Sequence, residues 1–525
     1  MRCQQWWQSA ACRPTRSAGL SRRPSTGFDE ARLGSICGLV VGAVLGCGCF
    51  SERSFHLNPA DVVQLHPPAV GSTSGVGPTP ARFPSTREWL VSTHGQLAHL
   101  LPGYGRRPAS WSAASGRNAA GPTLALLTDE LSTEPGTSRD VFRHFDRRRE
   151  SLTRLFSNWH GLQQTAQCVG AISTPGDPPP AWEGFDQVWI PVADGVELSG
   201  RLGWAVDQRG ELRTAQCIVL LPGLMGDNAV LRTRDLARLL REYGFHVLAL
   251  ELRGHGQTDL KYPDVPYNFG VLEVGDLLVV SDWLEDHAHV SRTGMIGFCW
   301  GANLGILSAW YDGCDGEHSS ISEELQPYLL EHCGRTHYSA GIIAIAPVLR
   351  FEDLMDDLER SWSLLVNPVY RYLQKSIEGR MRAKGYRPAT GSLWRLIRLE
   401  FHRMGMTSEK LVRDAQPFLR LLAYKGQPAG DKLEDARIPV LILHAVNDPL
   451  APAQDVADLV ATVDNPQVAA VILAGGGHGG FPVYARHYYL SLVVGFFDPL
   501  AGAAATCDHS PARTRDSIAP TPGRS

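Results

Sequence analysis

Six short, unbroken apolar runs, separated by segments with helical periodicity, constrain the fold of this chain most strongly. The runs lie at 217–221, 246–250, 294–296, 341–346, 440–444 and 468–473. Runs without polar alternation are typical of strands buried on both faces, as in a parallel sheet covered by helices. Apolar residues at helical spacing occur at 230–243, 271–287, 303–310 and 484–496. Two further strands, 187–191 and 196–202, flank the turn Ala193-Asp194-Gly195 and predict an antiparallel hairpin.

This pattern predicts one α/β domain at 185–500, with an eight-stranded, mostly parallel sheet and helices on both faces. The segment 348–437 is far longer than a usual strand connection and predicts a helical cap insertion. We expect the Arg and Lys residues between Arg371 and Arg387 to form a solvated face of that cap. Residues 51–184 are interpreted as a Pro/Gly-rich linker and an N-terminal helical extension, with a helix at 140–160, and residues 501–525 as a disordered tail.

The first 50 residues have the pattern of a signal segment or membrane anchor. Six Arg residues precede position 33, and the apolar stretch 36–45 follows before a cluster of Gly and Cys. Val44-Leu45-Gly46-Cys47 resembles a bacterial lipobox, which would make Cys47 the site of lipidation. An uncleaved signal anchor and a plain signal peptide are the alternatives. We expect a membrane-associated or exported protein, attached to a membrane through its N-terminus, or a cytoplasmic one if the start is mispredicted.

Composition and motifs exclude several classes of partner. The formal net charge is -4, so the chain has no overall basic field that would attract nucleic acid. The eleven Cys residues lack the paired spacing of a zinc site or a disulfide framework. Because no metal or dinucleotide motif is present either, we expect no cofactor, no metal and no nucleic-acid partner.

The segment Gly297-Phe298-Cys299-Trp300-Gly301 lies between a predicted strand and a predicted helix and has the spacing of a nucleophile elbow. In such a turn the nucleophile adopts a strained backbone, so the residues two before and two after it must be small. Gly297 and Gly301 satisfy this requirement. Cys299 is therefore the candidate nucleophile.

Three other loops supply candidate partners for Cys299. The loop 221–227 follows the third strand, and the backbone N–H groups of Leu224 and Trp300 would form an oxyanion hole. Asp448 follows the seventh strand, and His478 lies in a glycine-rich loop after the eighth. The chain order of nucleophile, acid and histidine is that of a hydrolase triad. Three rival acids follow the sixth strand, namely Asp353, Asp356 and Asp357.

Three motifs carry a family resemblance: LPGLMG (221–226), GFCWGAN (297–303) and GGHGGF (476–481). They resemble LPGLTG, GFSxGGN and GGHxGF, the motifs of an esterase and lipid-hydrolase branch of the α/β-hydrolase superfamily. This resemblance implies the α/β-hydrolase fold, an ester or similar acyl bond as substrate, and catalytic roles for Cys299, His478 and Asp448. Cys299 stands where the branch has Ser, and Ala302 where it has Gly. The Cys elbow itself is similar to that of dienelactone hydrolases.

A thiol at the elbow favours some substrates over others. Thiolate is a better leaving group than alkoxide, so activated acyl donors such as thioesters, aryl esters or enol lactones are favoured over simple glycerides. We expect a hydrolase of carboxylic esters, lactones or thioesters that acts on a small-molecule or lipid ester through an acyl-enzyme. Acyl transfer on the same triad and a hydrolase-fold binding or scaffold protein stay open as alternatives. His255, in the loop after the fourth strand, is interpreted as structural.

Overall fold

The computed structural model describes residues 57–63, 85–101, 124–127, 159–169, 181–192, 195–267, 269–313, 335–351, 354, 368–405, 432–473 and 475–501. Several predictions fall outside these ranges and stay predictions. They concern the signal segment with Cys47, nearly all of the 140–160 helix, residues 502–525, and the rival acids Asp353, Asp356 and Asp357.

The centre of the structure is a single mixed sheet whose strand order is β1-β9-β8-β7-β6-β4-β5-β3-β2. Pairing is parallel from β5 through β4, β6, β7 and β8 to β9, and antiparallel for β3 with β5, β2 with β3 and β1 with β9. The strands are β1 (Leu124–Leu127), β2 (Asp186–Pro191), β3 (Glu197–Gly203), β4 (Ala215–Leu221), β5 (His246–Leu250), β6 (Val290–Phe298), β7 (Ile342–Ile345), β8 (Val440–Ala445) and β9 (Val468–Leu473).

Helices lie before, between and after the strands in the described part of the chain. They are α1 (Thr86–Leu100), α2 (Trp159–Val169), α3 (Leu231–Glu242), α4 (Gly256–Lys261), α5 (Val271–Glu285), α6 (Trp300–Gly313), α7 (Pro368–Ala383), α8 (Leu393–Arg403), α9 (Ala453–Thr462), α10 (Phe481–Tyr484) and α11 (Arg486–Ala501). A short 3₁₀ helix covers Pro59–Asp61.

Both faces of the sheet are buried, which explains the unbroken apolar runs. Consecutive residues of β4 point to opposite faces, so Val219 joins the core beneath α5, α6, α8 and α9, whereas Ile218 joins the core beneath α1, α3 and α11. All residues of β5, β7, β8 and β9 are buried. The predicted parallel α/β sheet with helices on both faces is confirmed.

The eight predicted strands are all present, and a ninth strand joins them. The ninth, β1, pairs antiparallel with β9 at the sheet edge, within the segment interpreted as a linker. It has four residues, and a run that short becomes a strand only through a partner that is distant in the sequence. Strand β6 is also longer than predicted, because its first four residues, 290–293, belong to the strand as well. Val290 and Thr293 pair with β4 on either side of a bulge.

The cap segment contains α7 and α8, and one expectation about its basic residues is wrong. Arg380 and Lys384 do not face solvent, since their side chains are only 9% and 2% exposed. Lys384 Nζ lies 3.5 Å from an Asp259 oxygen and 3.7 Å from the buried Glu400, and Arg380 donates a hydrogen bond to the Gly254 carbonyl oxygen. Arg380 and Lys384 therefore connect the cap to α4 and to the loop before α4, instead of forming part of a solvated face.

No helix among the residues described above combines the length and the apolarity that a membrane crossing requires.

Candidate active site

Cys299 lies in a strained turn between β6 and α6, at the carboxyl edge of the sheet. Its φ is 54°, in the left-handed region, and its N–H donates to the Ile345 carbonyl oxygen at 2.9 Å. A Cβ on Gly297 would lie 2.2 Å from the Gly301 oxygen, and a Cβ on Gly301 would lie 2.4 Å from the Pro222 oxygen. The turn therefore has no room for a side chain at either glycine.

His478 and Asp448 meet although 29 residues separate them in the chain. Asp448 follows β8 and His478 follows β9, and these neighbouring parallel strands end at the same edge of the sheet. The His478 Nδ1–H donates to Asp448 Oδ2 at 2.8 Å. The other carboxylate oxygen accepts from the backbone N–H groups of Leu450 and Ala451, at 2.7 and 3.0 Å.

These contacts keep Asp448 ionised in a buried place. Burial favours the neutral carboxyl, but His478, His444 and the Ala451 N–H favour the charged form more strongly and lower the pKa of Asp448. A carboxylate in this position fixes the tautomer and the orientation of the imidazole. The pair thus has the geometry of an acid and a histidine in a triad.

The thiol of Cys299 and the imidazole of His478 shift each other's pKa. Burial lowers the pKa of His478, but the charges of Asp448 and Cys299 outweigh this effect and raise the pKa to about 10. Burial likewise favours the neutral thiol, and His478, the Leu224 N–H and Arg232 together lower the pKa of Cys299. Both directions favour a thiolate beside an imidazolium.

The two predicted oxyanion donors border the thiol. The Leu224 N–H is close enough to the sulfur to contribute to its lowered pKa. Trp300 is the first residue of α6, so its N–H has no acceptor within the helix. Gly223 faces Cys299 directly, since a Cβ on it would lie 3.0 Å from the Cys299 Cβ. The loop after β4 and the elbow after β6 are brought together because β4 and β6 are neighbours.

His255, which the sequence analysis interprets as structural, contacts the loop that carries Leu224. Its Nε2 accepts the N–H of Met225, the residue after Leu224, at 3.1 Å, and its Nδ1–H donates to the Arg253 oxygen at 2.7 Å. Burial, with help from Arg380, lowers the pKa of His255 to about 4, so the ring is neutral and able to accept. His255 thus anchors the loop 221–227, which carries the predicted oxyanion donor Leu224; we call it the oxyanion loop.

Arg232, on α3, also borders the site and was not singled out in the sequence. Its Nη1 donates to the His478 carbonyl oxygen at 3.1 Å, and its guanidinium carbon lies 4.5 Å from the centroid of the Phe298 ring. No sequence signal marks such a residue, because a single Arg on an amphipathic helix is typical of a solvated face. Its contacts depend on three elements that only the fold brings together.

The described residues contain no group of three or more His, Cys, Asp and Glu side chains arranged to hold a metal ion. Cys168 and Cys217 are free and buried, and burial raises the pKa of Cys168 to about 12. Among the described cysteines, the conditions for a nucleophilic thiolate are therefore met at Cys299.

Solved structures with related folds include several esterases and hydrolases. The Pyrococcus furiosus esterase Pf2001 is 18% identical, and the alignment covers 62% of this chain and 98% of that chain, with a TM-score of 0.38. The 2,6-dihydroxy-pseudo-oxynicotine hydrolase is 15% identical over 69% of this chain and 86% of that chain, with a TM-score of 0.39. Est1E from Butyrivibrio proteoclasticus, solved with ferulic acid bound, is 14% identical over 61% of this chain and 99% of that chain, with a TM-score of 0.36.

A comparison with curated proteins found no match. A sequence profile described as the alpha/beta hydrolase family matches residues 218–489, more than half of the chain. The matched region begins in β4 and ends in α11, and it contains Cys299, Asp448 and His478. The chain therefore belongs to the alpha/beta hydrolase family and is a hydrolase of that fold.

Proposed function

We propose that the protein hydrolyses carboxylic esters, lactones or thioesters through an acyl-enzyme formed on Cys299. His478 carries the proton, and Asp448 orients and stabilises its ring. The observation that carries this proposal is the 2.8 Å hydrogen bond from His478 Nδ1 to Asp448 Oδ2, made beside a thiol whose pKa is lowered. The strained φ of Cys299 supports it further, because it places the sulfur at the tip of the turn.

In the acylation step the Cys299 thiolate attacks the carbonyl carbon of the substrate and forms a C–S bond. The carbonyl oxygen becomes an oxyanion, which the N–H groups of Leu224 and Trp300 stabilise. The tetrahedral intermediate then collapses, the C–O bond to the leaving group breaks, and the His478 imidazolium gives its proton to the departing alkoxide. The alcohol leaves, and a thioester to Cys299 remains.

In the deacylation step His478 is neutral and takes a proton from water as the water oxygen attacks the thioester carbon. The second oxyanion uses the same two donors, and its collapse breaks the C–S bond. The acid product leaves, and the thiolate and imidazolium are restored. Asp448 stays ionised throughout, because its charge stabilises the imidazolium in both half-reactions.

The thiol sets the substrate preference. A thiolate is expelled from the tetrahedral intermediate more readily than an ordinary alkoxide, so acylation succeeds when the substrate's own leaving group departs at least as easily. Aryl esters, enol lactones and thioesters meet this condition. We therefore infer activated acyl compounds, rather than simple glycerides, as the substrate class.

The proposal is tested with a panel of chromogenic aryl esters and thioesters of increasing acyl length, using the full chain. We expect turnover in the wild type and none above background in Cys299→Ala. Cys217→Ala is the matched control, since it removes a thiol that is also buried but whose pKa is raised by that burial. If Cys217→Ala folds, this variant is expected to keep its activity.

Further arms of the same experiment separate the alternatives. Alkylation with iodoacetamide, located by peptide mass spectrometry, is expected at Cys299 and to abolish turnover. Product that forms only when an alcohol or amine acceptor is added would change the assignment from hydrolysis to acyl transfer. Absence of turnover in the wild type together with absence of labelling at Cys299 would leave a binding or scaffold role.

A further inference from the structure

Helix α2, Trp159–Val169, lies ahead of the region that matches the family and contacts both loops that carry the reactive groups. Those loops are 446–451, with Asp448, and 475–480, with His478. We call these the acid loop and the histidine loop. The contacts of α2 with them are hydrogen bonds and close backbone approaches.

Three consecutive backbone N–H groups of the histidine loop are held by side chains. The N–H of Gly476 donates to Gln164 Oε1 at 2.8 Å, and that of His478 donates to Thr165 Oγ1 at 2.8 Å, so both acceptors come from α2. Between them, the Gly477 N–H donates to Asn447 Oδ1 at 2.9 Å. Asn447, in the acid loop, also donates from Nδ2 to the same Gln164 oxygen, at 3.2 Å. Gln164 therefore connects the two loops.

The Thr165 hydroxyl is oriented for this role. It donates its own hydrogen to the Gly161 carbonyl oxygen, one turn earlier in α2, at 2.7 Å. Because that donation fixes the rotation of the hydroxyl, its lone pairs face the His478 N–H.

Backbone packing between α2 and the loops leaves no room for side chains. A Cβ on Gly161 would lie 2.0 Å from the Asn447 oxygen, and a Cβ on Gly477 would lie 2.0 Å from the Gly161 oxygen. A Cβ on Gly480 would lie 2.5 Å from the Gln164 oxygen. The helix and both loops therefore touch through their main chains.

The histidine loop needs such anchoring because of its own composition. Gly476, Gly477 and Gly479 have φ values of 119°, 55° and 77°. Glycine adopts positive and negative φ values about equally readily, so these residues alone do not hold the loop in one conformation. Arg232 holds the carbonyl group of His478, and Asp448 holds its ring. Without α2, the backbone N–H groups of Gly476 and His478 would lose their hydrogen-bond acceptors.

We propose that α2 sets the position of the reactive histidine, with Thr165 and Gln164 as its positioning residues. The inference rests on the proposed function of Cys299 and His478. It makes the N-terminal extension a part of the catalytic apparatus that lies outside the family-matched region. Thr165 acts through the His478 main chain and does not touch the reacting atoms.

The test compares Thr165→Val, Thr165→Ser and Gln164→Ala in the full chain, with the exposed Gln163→Ala of the same helix as the matched control. Thr165→Val keeps the shape of the side chain and removes the acceptor. We expect its kcat to fall about ten- to a hundredfold with KM changed less than about twofold, because a small displacement of a reacting group costs rate more than binding. Thr165→Ser restores the hydroxyl and is expected to recover most of kcat.

The ionisation of Cys299 gives a readout that loss of packing alone would not move. A displaced imidazole stabilises the thiolate less, so the acid limb of the pH profile and of the iodoacetamide alkylation rate is expected to move to higher pH in Thr165→Val and in Gln164→Ala. Wild-type kcat and an unmoved acid limb in Thr165→Val would overturn the proposal. Should that variant lose its circular-dichroism spectrum, the same two outcomes are decided on Gln164→Ala.

The outcomes distinguish this inference from the function on which it rests. If wild-type turnover survives Cys299→Ala, the proposed function fails. The alkylation rate of Cys299 in the Thr165 and Gln164 variants still decides whether α2 sets the thiol–imidazole contact. If turnover depends on Cys299 but not on Thr165 or Gln164, only the role of α2 is refuted.

Discussion

Cys299 and His478 influence each other's ionisation, and the protonation state of the two groups decides the chemistry. The pKa of His478 is raised to about 10 and that of Cys299 is lowered, with burial opposing and the neighbouring charges outweighing it in both cases. Two coupled groups of this kind titrate as a pair. The pair is therefore expected to be charged across a broad range around neutral pH.

The pH dependence of catalysis follows from these directions. We expect kcat/KM for an activated ester to reach its plateau below the pH of about 8.5 at which an ordinary thiol ionises. Because the raised pKa of His478 keeps the imidazolium until the pH approaches about 10, activity is expected to fall as the pH rises through that value. A profile that begins to rise only near the ordinary thiol value would contradict the ion pair.

The anchor of the oxyanion loop gives a second prediction for a single residue. His255→Ala removes the acceptor of the Met225 N–H. Since one hydrogen bond contributes about 0.5–1.4 kcal/mol, we expect kcat to fall about two- to tenfold. Steady-state kinetics measures this, with the exposed His289→Ala as control. Equal effects of the two substitutions would argue against the anchor.

Sequence patterns identify candidate residues where local spacing carries the information, and they miss residues whose contacts are made across long stretches of chain. Cys299 with its two glycines, and the order of Asp448 and His478, can be read from motifs next to predicted strands. His255, Arg232 and Thr165 cannot, because each acts on a backbone group between 30 and 313 residues away. Such contacts become visible only when the strand order is known.

At the scale of elements, the same contrast separates the strands from the cap. Continuous apolar runs predicted β5 and β9 at their observed bounds, because burial on both faces leaves a local pattern. The four-residue β1 left none. Arg380, near the end of α7, and Lys384, just after it, were also misjudged, since the charge pattern does not reveal that Asp259 and Glu400 lie opposite.

The buried ionic contacts of the cap predict a stability effect. Lys384→Met would leave Glu400, which is fully buried, without its nearest cation, and we expect the free energy of unfolding to fall by about 3 kcal/mol. Arg382→Met is the control, because Arg382 is exposed and its pair with Glu378 contributes at most about 1 kcal/mol. Urea denaturation measures both.

A double substitution checks the cause of that effect. Lys384→Met combined with Glu400→Gln removes both charges while keeping an acceptor for the Tyr267 N–H. It is expected to recover part of the stability lost in Lys384→Met, because the hydrogen bonds from Lys384 to the Pro263 and Val265 carbonyl oxygens stay lost. A double variant that is less stable than the single one would show that the contact with Glu400 is not what Lys384 supplies.

At the scale of the whole molecule, global stability is expected to depend on pH through His337. Burial favours its neutral form, but Asp312 and Asp282 outweigh burial and raise the pKa of His337. Stability from this raised pKa is complete below about 6.5, the value for an unfolded chain, and is lost as the pH rises through the folded value. The loss of unfolding free energy in His337→Asn is therefore expected to be larger near pH 5.5 than near pH 9. A loss that grows with pH would contradict this assignment.

The attachment of the whole molecule to a membrane is a prediction from the N-terminal sequence. If Cys47 is acylated, bacterial expression with labelled palmitate will label the wild type and Cys49→Ala but not Cys47→Ala. Label in neither the wild type nor the control would favour a signal anchor or a plain signal, and membrane fractionation separates these two.

The claim on which the mechanism depends is that the Cys299 sulfur carries the acyl group. Its most direct test is to quench the enzyme in acid during turnover of an activated ester and to locate the acyl mass by peptide mass spectrometry. The mechanism predicts one acyl group on the peptide that contains Cys299, absent from Cys299→Ala. An acyl group on any other residue, or turnover by Cys299→Ala at the wild-type rate, would contradict it.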